Sequence, residues 1–363
     1  MSGHDFLKVE IDGSEVPELY TDLVVLDVEL DDDLAGMFRM TLALRPDPDG
    51  SWPYLDDDRF TLWRKVEIIG GTEERSRRLI LGYVTHLRPE FGAEPDTCVL
   101  HVWGLDASVL MDRVDRLRAW PNKSDSDIAT EVLRSYGLTP RVTGTDVVHD
   151  ERVSTIIQRE TDMRLLRRLA LRNGFACYVD GDTVHFGPPM LDERPQPVLA
   201  VQFGEQTNVE RFCLEVNGLT PVRVAMVQTD RRTGEVLTVE ARAGRQRALG
   251  ARTADAMLAP GMDPGLVQVG QTVTTGEPEM TALCQGLHDR GEWFVTGEGE
   301  LSGNRYDGVL VPHALVTVKG VGATHSGLYQ VTHVTHSFTR AGYRQRFKVR
   351  RNALALTGAE DMG

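Results

Sequence analysis

The sequence lacks any unbroken apolar run of the ~18 residues that a membrane-crossing helix requires, so no helix is expected to span a bilayer. Its start, Met1 to Gly13, has neither the basic nor the apolar segment of a secretory signal and reads as a first strand. A cytosolic protein is the expectation. Cysteine is scarce: Cys98, Cys177, Cys213 and Cys284 are widely spaced, with no C-x-x-C pair to suggest zinc or redox chemistry. Buried, reduced thiols are expected. Also missing are G-x-S-x-G and H-E-x-x-H, so no motif argues for an enzyme or a cofactor. Basic charge is in deficit too, with 40 Lys and Arg against 54 Asp and Glu. A net charge of -14 supplies no positive field for nucleic acid or an anionic membrane.

What is present is ordinary globular composition, and 363 residues can bury a large core in two or three domains. The charge is unevenly spread. Acids crowd the first sixty residues, including Asp31 to Asp33 and Asp56 to Asp58. Thr339 to Arg351 carries Arg340, Arg344, Arg346, Lys348, Arg350 and Arg351 and no acid. These runs are either solvated faces or complementary ends that meet between protomers.

The pattern is organised around Arg159 to Pro189. Thr161 is placed to cap a helix, Asp162 sits in the first turn, and Leu165, Leu166, Leu169 and Ala170 form one apolar stripe. Gly174 closes that helix, and Phe175–Val179 and Thr183–Phe186 read as a hairpin across Asp180-Gly181. Upstream, Ser124 and Asp127 form a near capping box before Ile128, Ala129, Val132, Leu133 and Tyr136. Short alternating runs before residue 110 and after residue 198 read as strands. Residues 241–276 read as a long loop, followed by a helical stripe of Met280, Leu283, Cys284 and Leu287.

The order Glu160-Thr161-Asp162, Leu165-Leu166, Arg168-Leu169 and Gly174-Phe175 resembles the central stretch of the phage baseplate hub family. That family includes the late-control-gene-D proteins of contractile-tailed phages and the N-terminal half of VgrG proteins in type VI secretion. The run from Ser124 to Leu138 is similar to the helix before that stretch. The later series Leu310-Val311-Pro312-His313, Val316 to Gly322, Ser326 to Val331, His336 and Gly342-Tyr343 looks like the end of the gene-D-type proteins. The resemblance implies an α+β, mainly β fold: two tube-like antiparallel β-barrel domains with an intervening α+β insert. The implied limits are 1–110 for the first barrel and 111–197 for the insert. The second barrel takes 198–355, with a helix at 278–290, and 356–363 is a tail. The implied function is a structural hub of a baseplate, assembled from the cytoplasm into a contractile particle. Its partners would be two further copies of itself in a homotrimer, a separate spike protein, a hexameric inner tube ring and other baseplate proteins. No cofactor, nucleic-acid recognition or membrane anchor is implied.

Two rivals come from other classes. A tail-associated peptidoglycan hydrolase would need a paired acid and base; Glu160 is a candidate, although its place beside Thr161 suits the start of a helix. A monomeric carbohydrate-binding β-protein is the other. Metal readings are weak. His333 and His336 are three apart in a strand and so face opposite sides, and His313 and His325 add no spacing. Asp31 to Asp33 and Asp56 to Asp58 lack the spaced ligands of a calcium loop and read as solvated loops. Gly320-Val321-Gly322 lies between strands, not before a helix that could hold phosphate. Near the end, Tyr343, Gln345, Phe347 and Val349 alternate with Arg344, Arg346, Lys348 and Arg350. One face of that strand is cationic, which makes those four residues the candidate partner-binding site.

Overall fold

The computed structural model describes residues 5–94, 97–153, 155–220, 222–230, 233–302 and 305–363. The first four residues of the expected opening strand, position 221 of the strand expected at Thr220–Thr229, and positions 231 and 232 of the turn expected at Asp230–Gly234 lie outside the described residues.

Runs that mostly alternate apolar and polar side chains, with some buried throughout such as Leu315–Lys319, build two sets of six strands. The first set is β1 (Asp5–Ile11), β2 (Leu23–Asp31), β3 (Met37–Ala43), β4 (Lys65–Thr72), β5 (Ser76–Glu90) and β6 (Val99–Asp106). The second is β7 (Gln196–Ala200), β8 (Val209–Val216), β9 (Val295–Ser302), β10 (Leu315–Lys319), β11 (Gly327–Thr339) and β12 (Gly342–Arg351). Hydrogen bonding orders the first set β2-β3-β6-β5-β4-β1 and the second β8-β9-β12-β11-β10-β7. Numbered along the chain within each half, both orders read second, third, sixth, fifth, fourth, first. The halves differ in that β1 runs antiparallel to β4 whereas β7 runs parallel to β10.

The fold is α+β and mainly β, two tube-like antiparallel barrels with an α+β insert between them. One barrel encloses Val9, Leu26, Phe38, Val66 and Val102, and the other Leu199, Val295, Val318, Tyr329 and Phe347. The barrels share a wall. β11 pairs antiparallel with β2 from His333↔Asp31 to Thr339↔Val25, so one sheet runs through both.

The insert forms for local reasons. Thr161 accepts from Arg164 N–H and starts the helix Asp162–Asn173, whose Leu165, Leu166 and Leu169 are fully buried. Gly174 ends it with φ 69°, and Gly181 turns the following hairpin with φ 62°; L side chains rarely adopt either angle. The hairpin strands are Ala176–Asp180 and Thr183–Gly187, and Thr139–Val142 adds a parallel third. The Ser124–Asp127 capping box opens the helix Asp125–Ser135. Ile156–Thr161 pairs with Asp115–Trp120, so Glu160 lies in a strand that runs straight into the helix.

Three expectations need correction. The segment 241–276 is not all loop: Gly265–Val269 pairs parallel with Val222–Thr229, and Arg252–Thr253 pairs with Ala353–Leu354. Val222–Thr229 and Val236–Ala241 stand apart from the main sheet and pack Val224, Met226 and Val239 on Met280, Leu283 and Cys284 of helix Glu277–Gly291. Cys98, Cys177 and Cys284 are buried, but Cys213 is exposed, because it is on the outward face of β8. Asp31 and Asp32 are not in a solvated loop, because they are partly covered and pair with His333 and Arg350 of the other half, while Asp33 stays exposed and meets Arg290. Among the described residues, no helix is long and apolar enough to cross a membrane.

Candidate functional site

The outward face of the shared wall carries a row of paired charges. On β12 the inward residues Tyr343, Gln345, Phe347 and Val349 are buried, while Arg344, Arg346 and Lys348 are exposed and Arg350 is partly covered. Strand pairing places acids on one side of this row: Glu300 stands opposite Arg346, and Glu298 opposite Lys348. Arg344 donates to Glu210 at 3.0 Å and to Glu300 at 2.9 Å. On the other side β11 presents His333 opposite Lys348 and Thr335 opposite Arg346. Glu29, Arg211, Glu298, Glu300, Arg346 and Lys348 rim a depression of about 330 Å³. Among the described residues, Arg346 and Lys348 make no ion pair within 4.0 Å.

Arg350 is used differently from the other three. It reaches Asp32 at 3.0 Å, donates to Gln330 at 2.9 Å and lies over the Trp293 ring at 4.5 Å. Its neighbours complete a clamp. Asp31 meets His333 at 2.9 Å, and Asp33 meets Arg290, in the last turn of helix Glu277–Gly291, at 3.1 Å. Three consecutive aspartates at the end of β2 thus hold a strand, a second strand and a helix of the second half. Ser337 adds a hydrogen bond to Asp27 at 2.6 Å.

The carboxylates respond in opposite directions. Burial works to raise Asp31, but His333 and the backbone N–H groups of Asp33 and Leu34 outweigh it and hold the group down to about 2. Burial pushes Asp32 up to about 6 against the attraction of Arg350. Sequence reading found the acids and the cations as separate runs. Which strand lies beside which is a matter of long-range pairing, so their meeting within one chain had no local signal.

The other candidates are dispersed. His336 is fully buried, bonded to the Tyr343 hydroxyl at 2.7 Å, and faces away from His333. His313 stacks on Tyr178, far along the chain. Glu160 accepts from Arg168 at 2.7 Å. The arrangement has the chemistry of a charged sheet face.

The family model described as the Alg8 N-terminal domain matches residues 4–340. No curated protein sequence matches the chain. Among solved structures, the 43 kDa tail protein of prophage MuSo2 from Shewanella oneidensis is similar with a TM-score of 0.68 and 13% identity, over 96% of this chain and 99% of that one. A tail protein from Neisseria meningitidis gives 0.66 and 14%, over 96% and 97%. An E. coli component of the type VI secretion system gives 0.57 and 12%, over 95% of this chain and 76% of that one. At these identities the likeness establishes the fold alone, which this chain shares with these tail and type VI secretion proteins.

Proposed function

This chain belongs to the Alg8 N-terminal domain family, and from that premise and its tail-protein fold we propose that it is a structural hub of a contractile injection system or phage tail. Three copies form a ring, and the ring joins a trimeric spike to a hexameric inner tube. Residues 1–110 and 198–355 act as the two tube-forming units, with 111–197 between them and 356–363 as a tail. The observation that supports this best is the repeated strand order of the two halves. Two units of like topology in each of three copies present six around one axis, so a threefold object can mate with a sixfold one. The shared wall and the aspartate clamp support it further, because an adaptor must hold its two units at a set angle. Arg344, Arg346, Lys348 and Arg350 lie on that wall, and Arg346 and Lys348 are the two that would contact a partner.

Native mass measurement of the full chain tests this reading. A three-copy assembly that binds tube and spike proteins is expected. A stable monomer that ignores both would overturn it.

A further inference from the structure

The repeated topology also determines which residues of the two halves are equivalent. Thr85 is bulged from the β5–β6 ladder between Val84 and His86, and Thr332 from the β11–β12 ladder between Val331 and His333. Both bulges carry the residues Val-Thr-His. Crossing the ladders from there, Gly104 matches Val349, Phe38 matches Gly297, and Val28 matches Leu214. A second pair of bulges agrees with this alignment: one lies between Leu23 and Val25 on β2, the other between Val209 and Arg211 on β8. So β8 corresponds to β2, and the outer end of β5 corresponds to the part of β11 that joins β2.

Inside the chain those corresponding parts are paired, and at its two ends they are not. β8 has β9 on one side. On its other side β5 is paired with β4 as far as Tyr83, and Val84 still exchanges backbone hydrogen bonds with Trp63 and Arg64; from Thr85 onward its ladder partner is β6 alone. Among the described residues no strand covers either outer edge. Such edges are templates for another strand.

We propose that Thr85–Glu90 of one copy pairs with β8 of the next, so that the junction inside each chain is repeated between chains. The proposal rests on the trimeric reading and names the edge by which the copies join. Transferring the register of β11 and β2 sets Leu87 opposite Val216, Arg88 opposite Glu215 and Glu90 opposite Cys213. The charges are complementary at Arg88 and Glu215, and Glu90 lies diagonal to Arg211. Leu87 and Val216 fall on the inward side. Pro89 has no N–H to give, so this junction has at most one donor fewer. Direction also fits. The eight strands β8-β9-β12-β11-β2-β3-β6-β5 are each antiparallel to their neighbours, and an even number lets β5 meet the next β8 antiparallel.

The exposed Cys213 makes the register testable. Directly opposed residues on antiparallel strands have Cα atoms about 4.5–5.5 Å apart, within the reach of a disulfide. Full-length Glu90→Cys, mildly oxidised, should give a reducible ladder up to a covalent trimer, and Cys213→Ser in the same chain should abolish it. The other three thiols are buried and do not compete. Arg88→Glu and Glu215→Arg should each lower the trimer fraction, and the two together should restore it. A monomeric wild-type chain would overturn the trimeric reading and this junction with it. A trimeric wild type with neither Cys213-dependent crosslinking nor rescue by the charge swap would overturn the junction alone.

Discussion

Asp31 shows how one residue's surroundings become a property of the whole chain. Its carboxylate is held low by His333 and two backbone donors, so the folded state favours the ionised form. A group depressed on folding contributes stability in full above its ordinary value of 3.8, and that contribution is lost as pH falls towards about 2. Asp31→Asn should therefore lower the melting temperature at neutral pH and leave it less sensitive to acid between those values. An unchanged acid-unfolding curve would mean that the clamp does not bear on stability. Opposite charges in the first sixty residues and in 339–351 were legible as runs, and one reading had them meeting between protomers. Within one chain the two runs touch at Arg350 and Asp32, because β12 lies beside β11 and β11 beside β2.

At the scale of elements, helix Asp162–Asn173 was readable from its cap, stripe and closing glycine, since each acts within one or two turns. What that helix leans on was not. Its C-terminus lies against helix Glu277–Gly291, close enough that a Cβ on Gly286 would sit 2.6 Å from Gly174 N. Beside this contact is a cluster of buried Asp125, His149 and Glu279 with the partly covered Arg172. His149 Nε2 lies 2.9 Å from Asp125 and its Nδ1 lies 3.6 Å from Glu279, while Arg172 joins both acids. Burial opposes a charged ring here, but the two carboxylates outweigh burial and the repulsion of Arg172 and raise its pKa. A group raised on folding contributes stability in full below the ordinary histidine value of 6.5, and that contribution is lost as pH rises through the raised value. The wild type should thus lose amide protection in helix Glu277–Gly291 over that window. His149→Gln should flatten the dependence. If the variant keeps the wild-type pH profile in hydrogen exchange, another group is responsible.

For the whole molecule, the duplication is the feature that matters most, and it is well hidden in the sequence. In the first half β2 passes to β3 through residues 32–36, whereas in the second the connection from β8 to β9 spans 217–294 and contains a separate sheet and a helix. That insertion breaks the spacing by which a repeat would be noticed. The short match of Val84-Thr85-His86 with Val331-Thr332-His333 was available, but three residues gain meaning only once both are seen to bulge at the same rung. The wall itself supports a prediction about assembly. Reversing Arg346 and Lys348 to glutamate should weaken particle assembly and leave the melting curve nearly unchanged, since exposed charges contribute little to folding. Normal particle yield would remove these two residues from the contact surface.

Local chemistry in the chain determined the strands, the capped helices, the hairpin turn and the alternation of β12, because each depends on neighbours within a few residues. Strand order decided the rest: which acids meet which cations, which half corresponds to which, and which edges remain uncovered. Pairing between strands far apart in the chain depends on the closure of the entire sheet, and no short stretch of residues encodes it.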